Sequence, residues 1–276
     1  MFIKEEFVNK KIIVIVLIII FIIAGLLIVL KKNKSSGLPP SCRASVSALL
    51  ALAKESESKD NLLEARNAYQ KLVNEFSGSA EVANWQKKSE EINIKLLFSP
   101  TITPKSALYE IKPGDTLNKI AKSFKSTPEL IMKSNHLSGD KIIPGRKIKI
   151  WTEPFSVFVD KSQNTLMLKS DDEIIKTYII STGTNNSTPV GTFKIVNKLP
   201  NPTWFKAGAV VPPESPQNVL GTRWLGFDLA GYGIHGTVEP QNLGKQVTQG
   251  CVRMANPEVE ELYTIIPVGT EVTIVD

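Results

Sequence analysis

Gly233-Ile234-His235-Gly236-Thr237, a polar spacer, then Thr248-Gln249-Gly250-Cys251-Val252-Arg253-Met254: this stretch holds one of two histidines and one of two cysteines in a chain of 276 residues. Both stand beside a glycine, where the backbone bends freely and approaches other groups closely. Three readings are open from the pair alone. A nearby imidazole raises the reactive thiolate population, which makes Cys251 a nucleophile toward a carbonyl. The two side chains can also be ordinary buried groups, or half of a metal site. The surroundings separate these readings.

From Pro154 to Asp276 the sequence runs in short β-branched and aromatic segments: Phe155 to Asp160, Leu166 to Lys169, Ile174 to Ser181, Gly191 to Val196 and Val272 to Val275. Turn signals recur between them. This spacing predicts a mainly-β domain, a β-sandwich or barrel-like fold rather than a βαβ sheet. One helix is expected from Pro257 to Ile265, with proline in its first turn and Val259, Leu262 and Tyr263 inward. Trp224, Phe227 and Tyr232 read as core or groove wall. Two histidines and two cysteines are too few for a Cys/His metal centre, and no carboxylate spacing suggests another, so neither metal nor cofactor is expected.

Upstream, Leu108 to Trp151 reads as strand, helix, helix, strand, a small α+β module. Tyr109 and Ile111 alternate, and Pro113-Gly114-Asp115 turns. Asp115 or Thr116 caps a helix carrying Leu117, Ile120, Ala121 and Phe124. Thr127-Pro128 opens a second helix that ends at Asn135, and Lys147 to Ile150 closes the module as a strand.

Residues 44–98 carry helical periodicity, with Leu62, Ala65, Ala68, Tyr69, Leu72, Val73 and Phe76 along one face. Phe76-Ser-Gly-Ser breaks the pattern before a third segment with Val82, Trp85 and Ile92. The segment resembles a tetratricopeptide hairpin, and is expected to serve as a spacer or as a docking pair for a protein partner. Ser35 to Arg43 reads as a linker, with Cys42 a bystander thiol.

Ile12 to Leu30 is an unbroken apolar run flanked by lysines, long enough at about 1.5 Å per residue to span a hydrocarbon core of roughly 30 Å. A signal peptide is the competing reading, but the run is long and no small-residue cleavage site follows it. Residues 1–34 are therefore expected to form a cytoplasmic tail and an uncleaved anchor. The lysines are balanced on its two sides and do not fix orientation. A net charge of +6 spread over the chain suits a polyanionic cell envelope and does not by itself indicate nucleic-acid binding.

Residues 108–151 resemble the lysin motif (LysM) domain at Tyr109-x-Ile-Lys-Pro-Gly-Asp-Thr-Leu, at Asn135-His-Leu and at Ile143-Pro-Gly-Arg-Lys-Ile. The resemblance implies a βααβ fold that binds the N-acetylglucosamine face of peptidoglycan or chitin, with Gly114, Asp115, Thr116 and Asn135 at the glycan groove. Residues 154–276 resemble the catalytic domain of L,D-transpeptidases of the YkuD type. The motifs are Ser187-Thr-Pro-Val-Gly-Thr-Phe, Leu220-Gly-Thr-Arg-Trp-Leu-Gly-Phe, Tyr232-Gly-Ile-His-Gly-Thr and Gly250-Cys-Val-Arg-Met. This implies Cys251 as nucleophile, His235 as its base and the Gly236 carbonyl as the group that orients the imidazole.

Such an enzyme takes the L-to-D amide beside a D-alanine, holds the acyl group as a thioester and passes it to an amine. N–H groups around Gly250 and Cys251 are candidates for an oxyanion hole. Where the family usually has Ser-His before Gly-Cys, this chain has Thr248-Gln249. Threonine keeps the hydroxyl, whereas Gln249 replaces a ring by an amide. Arg253 is expected either to hold a substrate carboxylate or to brace the loop, and Tyr232 and Trp224 to line the substrate groove. The expected whole is a single-pass protein of the bacterial cell membrane. Its catalytic domain lies in the periplasm or cell-wall space and acts on peptidoglycan. L,D-carboxypeptidase, protein-anchoring and purely wall-binding roles are the alternatives.

Overall fold

The computed structural model describes residues 40–206 and 208–276. The apolar run at 12–30 lies outside them. Among the described residues no helix is long and apolar enough to cross a membrane.

The described residues open with three helices, α1 (Pro40–Ser58), α2 (Leu62–Glu75) and α3 (Val82–Leu97). Helix α1 begins inside the expected linker, since proline suits a first helical turn. The predicted stripe on α2 is buried at Ala65, Ala68, Tyr69 and Leu72. It packs against Ala53 of α1 and Trp85, Ile92 and Leu96 of α3.

The LysM-like module follows as β1 (Ser106–Glu110), α4 (Leu117–Ser123), α5 (Pro128–Ser134) and β2 (Lys147–Trp151). The hydroxyls of Thr116 and Thr127 cap the two helices by accepting from Lys119 N and Leu130 N. Strands β1 and β2 pair antiparallel, Tyr109 opposite Ile148. Ile111, Leu117, Ile120, Ile131, Ile148 and Ile150 fill the module's interior.

The remaining strands are β3 (Phe155–Asp160), β4 (Thr165–Ser170), β5 (Glu173–Ile179), β6 (Thr182–Gly183), β7 (Gly191–Pro200), β8 (Trp204–Lys206), β9 (Ala209–Val211), β10 (Arg223–Phe227), β11 (Gly233–His235), β12 (Gln246–Thr248) and β13 (Val252–Arg253). Helix α6 (Asn256–Ile265) and strand β14 (Glu271–Val275) close the chain. Eight strands form one sheet in the order β13-β11-β10-β7-β14-β3-β4-β5. The expected sandwich is therefore not two separate sheets. Gly191–Lys194 of the long strand β7 pairs with β14, and its remainder pairs with β10, so β7 joins two halves. Val157 and Leu168 from one half, Leu225 and Ile234 from the other, and Val259 and Leu262 of α6 fill a single core.

The helices are not a free-standing stalk. Ile94 and Leu97 of α3, Leu130 of α5 and Trp151 of β2 all belong to that same core. Strand β5 ends the sheet order and would otherwise present unpaired peptide groups. Instead, Asn93 Nδ2 donates to Ile175 O at 3.0 Å and the Thr177 hydroxyl donates to Glu90 Oε1 at 2.9 Å. Glu173 pairs with Arg66 at 2.7 Å and with Lys105 at 3.0 Å. The LysM-like module is fastened as well, the Thr127 hydroxyl donating to Thr264 O on α6. Three sequence modules thus form one packed body.

Candidate active site

Strands β11 and β13 run parallel, with Ile234 opposite Val252 and His235 opposite Arg253. Cys251 stands one residue ahead of this pairing, beside Gly233. Strand alternation puts it on the same face as His235, and a Cβ at Gly233 would lie 2.8 Å from the Trp224 ring.

His235 is buried, and its Nδ1 lies 2.7 Å from Gly236 O. A carbonyl only accepts, so Nδ1 carries the proton and Nε2 presents its lone pair. The Trp224 ring stacks on the imidazole at 6.1 Å and 19°, and is itself fixed by Nε1 donating to Asn197 Oδ1. Burial pushes the His235 pKa down to about 4, with the Arg253 charge adding to the effect. The ring is neutral at neutral pH and free to take a proton.

Burial pushes the Cys251 thiol up, against the opposing pull of the Gly233 backbone and the Arg253 charge. Its Sγ lies 3.5 Å from Gly231 O. The resting pair is thus a thiol and a neutral imidazole, not an ion pair.

The turn that presents Cys251 is built by Thr248. Its hydroxyl donates to Cys251 O at 2.7 Å and accepts from Gly250 N at 3.1 Å. The hydroxyl thus braces the turn that carries Cys251, and the Gly250 N–H, a candidate oxyanion donor, is engaged there. The Cys251 N–H remains the candidate donor. Gly250 has φ +128°, and a Cβ there would lie 2.7 Å from the Tyr232 ring. Glycine is thus required twice over, and Tyr232 is a wall of this turn. Trp224 likewise backs the histidine. Gln249 is exposed beside the turn.

Arg253 is 7% exposed, its NH1 donates to Glu239 Oε2 at 3.1 Å, and its backbone exchanges hydrogen bonds with Ser181 in both directions, contacts of the bracing kind. In the LysM-like module, Asp115 accepts from Tyr109 OH and Lys112 N, and Asn135 binds both the N–H and the carbonyl of Lys149. With Thr116 acting as a cap, these three polar side chains shape the module's loops, while Gly114 is exposed at its turn. An open cleft of about 370 Å³ lies beside His136, Ser138, Asp140 and Arg146.

Sequence reading missed two asparagines. Asn218 is 2% exposed and joins Pro202 O to Leu220 N. Asn256 Oδ1 accepts from Thr222 N and Thr237 N. Glycines at 221 and 236 were the available signal for Asn256, because a Cβ at either would lie 2.2 Å from its Oδ1.

Residues 154–274 match the YkuD family, the L,D-transpeptidase catalytic domain, and residues 109–151 match the LysM domain. The putative L,D-transpeptidase YkuD of Bacillus licheniformis is 37% identical over 175 residues, covering 60% of this chain and 98% of that protein. YkuD of Bacillus subtilis is 35% identical over 173 residues, 60% of this chain and 97% of that protein. The putative L,D-transpeptidase YqjB of B. subtilis is 40% identical over 144 residues, 50% of this chain and 76% of that protein. With nearly the full length of the two YkuD proteins matched and a Cys/His site folded at the family's motifs, this chain belongs to the L,D-transpeptidase family.

Proposed function

We propose that the chain acts on peptidoglycan by thiol chemistry, with Cys251 as nucleophile and His235 as base. The thiol proton passes to His235 Nε2 as sulfur bonds to the carbonyl carbon of the stem peptide's L-to-D amide. The Cys251 N–H receives the oxyanion. The C–N bond then breaks, His235 returns the proton to the departing D-alanine amine, and a thioester remains. An acceptor amine attacks the thioester, its proton goes to His235, and the cross-link forms as Cys251 is released. The observation that carries this reading is the 2.7 Å bond from His235 Nδ1 to Gly236 O, which supports a lone pair at Nε2 in the form a base needs.

The apolar run at 12–30 supports a single-pass membrane anchor, with the enzyme on the envelope side of the bacterial membrane. The LysM-like module supports glycan binding.

Incubation with a carbapenem followed by mass spectrometry tests the chemistry. One adduct on Cys251, absent in Cys251→Ala, is expected; folded wild-type protein without an adduct overturns it. Muropeptide analysis of treated peptidoglycan then identifies the acceptor, as new cross-linked dimers for an amine or trimmed tripeptides for water. Retention on purified sacculi, weakened by soluble N-acetylglucosamine oligomers, is the expected result for the LysM-like module.

A further inference from the structure

The peptide unit joining Gly236 to Thr237 is held at both ends. Its oxygen takes the His235 Nδ1 proton at 2.7 Å, and its N–H donates to Asn256 Oδ1 at 3.0 Å. The same Oδ1 accepts from Thr222 N at 3.2 Å, which ties the approach to β10 to the exit from β11. Asn256 opens α6, a helix pinned in the core by Val259, Leu262 and Ile265. The amide sits in space that only glycines leave, since a Cβ at 221 or 236 would come within 2.2 Å of it.

We propose that Asn256 is a positioning residue for His235, acting through the Gly236–Thr237 peptide as the outer member of a thiol–imidazole–amide–amide relay. Hydrogen bonds in a chain polarise one another, so a peptide whose N–H is donated has a more strongly accepting carbonyl. Asn256 therefore strengthens the acceptor that keeps the proton on Nδ1 and fixes the plane in which the ring lies. Without it the peptide unit is free to turn, the Nδ1 proton loses its partner, and the tautomer with its lone pair at Nε2 loses its preference. The role calls for an acceptor oxygen, which aspartate supplies and alanine does not.

This inference rests on His235 as the base of the proposed reaction, and its test separates the two. Nitrogen NMR of the imidazoles, with the His136→Gln variant marking which signal is His235, is expected to show Nδ1–H in the wild type. Asn256→Ala is expected to show mixed tautomers and carbapenem acylation slowed about tenfold or more. Asn256→Asp is expected to keep the Nδ1–H tautomer and most of the rate, and to move the acid limb of the rate profile upward, because a carboxylate favours imidazolium. An unaltered tautomer in Asn256→Ala, or an unmoved acid limb in Asn256→Asp, overturns the proposal. Should Asn256→Ala not fold, the Asn256→Asp profile decides alone. A wild type that shows the tautomer but never acylates defeats the proposed chemistry and leaves the positioning test standing.

Discussion

Lys149, on the last strand of the LysM-like module, places its ammonium 2.6 Å from the Leu96 carbonyl at the C-terminal end of α3. It also reaches Ser99 O at 2.9 Å. A cation at a helix C-terminus meets carbonyls that have no helical partner. Burial nonetheless pushes its pKa down to about 8.

Replacing Lys149 by alanine removes the charged donor from both carbonyls at that buried joint, leaving Leu96 O to the longer bonds from the Ser99 hydroxyl and N–H. Chemical denaturation is expected to show a loss of about 2–3 kcal/mol, and less for methionine, which keeps the volume. The pH dependence has a fixed sign. The folded-state pKa lies below the unfolded one, so stability falls as pH drops from about 10.5 to about 8. The slope is at most about 1.4 kcal/mol per pH unit. Lys198, also pushed to about 8, adds a similar trend. The measurement is therefore wild type minus Lys149→Met.

His235 gives the acid counterpart. Its folded pKa of about 4 lies below the ordinary 6.5, so stability present above pH 6.5 should be lost progressively as pH falls toward 4. His235→Gln should remove that portion of the slope. Acylation of Cys251 should likewise persist well below pH 6.5. Alkylation of the free enzyme by iodoacetamide should stay slow until pH exceeds the usual thiol range, because burial holds the proton on sulfur.

Thr248→Val removes the hydroxyl that joins Gly250 N–H to Cys251 O, whereas Thr248→Ser retains it. The valine variant is expected to slow carbapenem acylation by about 10-fold to 100-fold, with serine within a few-fold of wild type. Equal rates would show that the turn holds itself.

The joint at β5 is tested by a double-mutant cycle on Arg66 and Glu173, which pair at 2.7 Å and are both largely buried. A coupling energy of about 1–2 kcal/mol is expected in denaturant titrations. Deleting residues 40–98 should do far more harm, since it strips Ile94 and Leu97 from the shared core and uncovers the edge of β5. Light scattering should report association of the truncated protein.

Much of this was legible from local pattern. The α2 stripe and the strands from Phe155 to Ile179 follow periodicities that burial imposes on neighbours in sequence, and Thr116 is one of two candidates for the first cap of the LysM-like module. What could not be read depends on distant partners. Lys147-Ile148-Lys149-Ile150 alternates as a strand with its lysines in water, yet Lys149 is 1% exposed because α3 ends over it. Strands β10 to β13 span two to five residues each, too short for alternation to register. At the site, the motifs located Cys251, His235 and Gly236. The engagement of the Gly250 N–H and the place of Asn256 depend on side-chain geometry across loops that no spacing rule encodes.

The shared core has a mechanical consequence. In a chain of modules on flexible linkers, a pull on one module straightens a tether and leaves its neighbour slack. Here Leu130, Trp151 and Leu97 interlock with the sheet that carries Cys251, so tension applied at the LysM-like module loads the catalytic strands themselves. Stretched between that module and the C-terminus, a single molecule should resist as one unit and yield in one step. Any strain put on that module would be felt at Cys251 and His235.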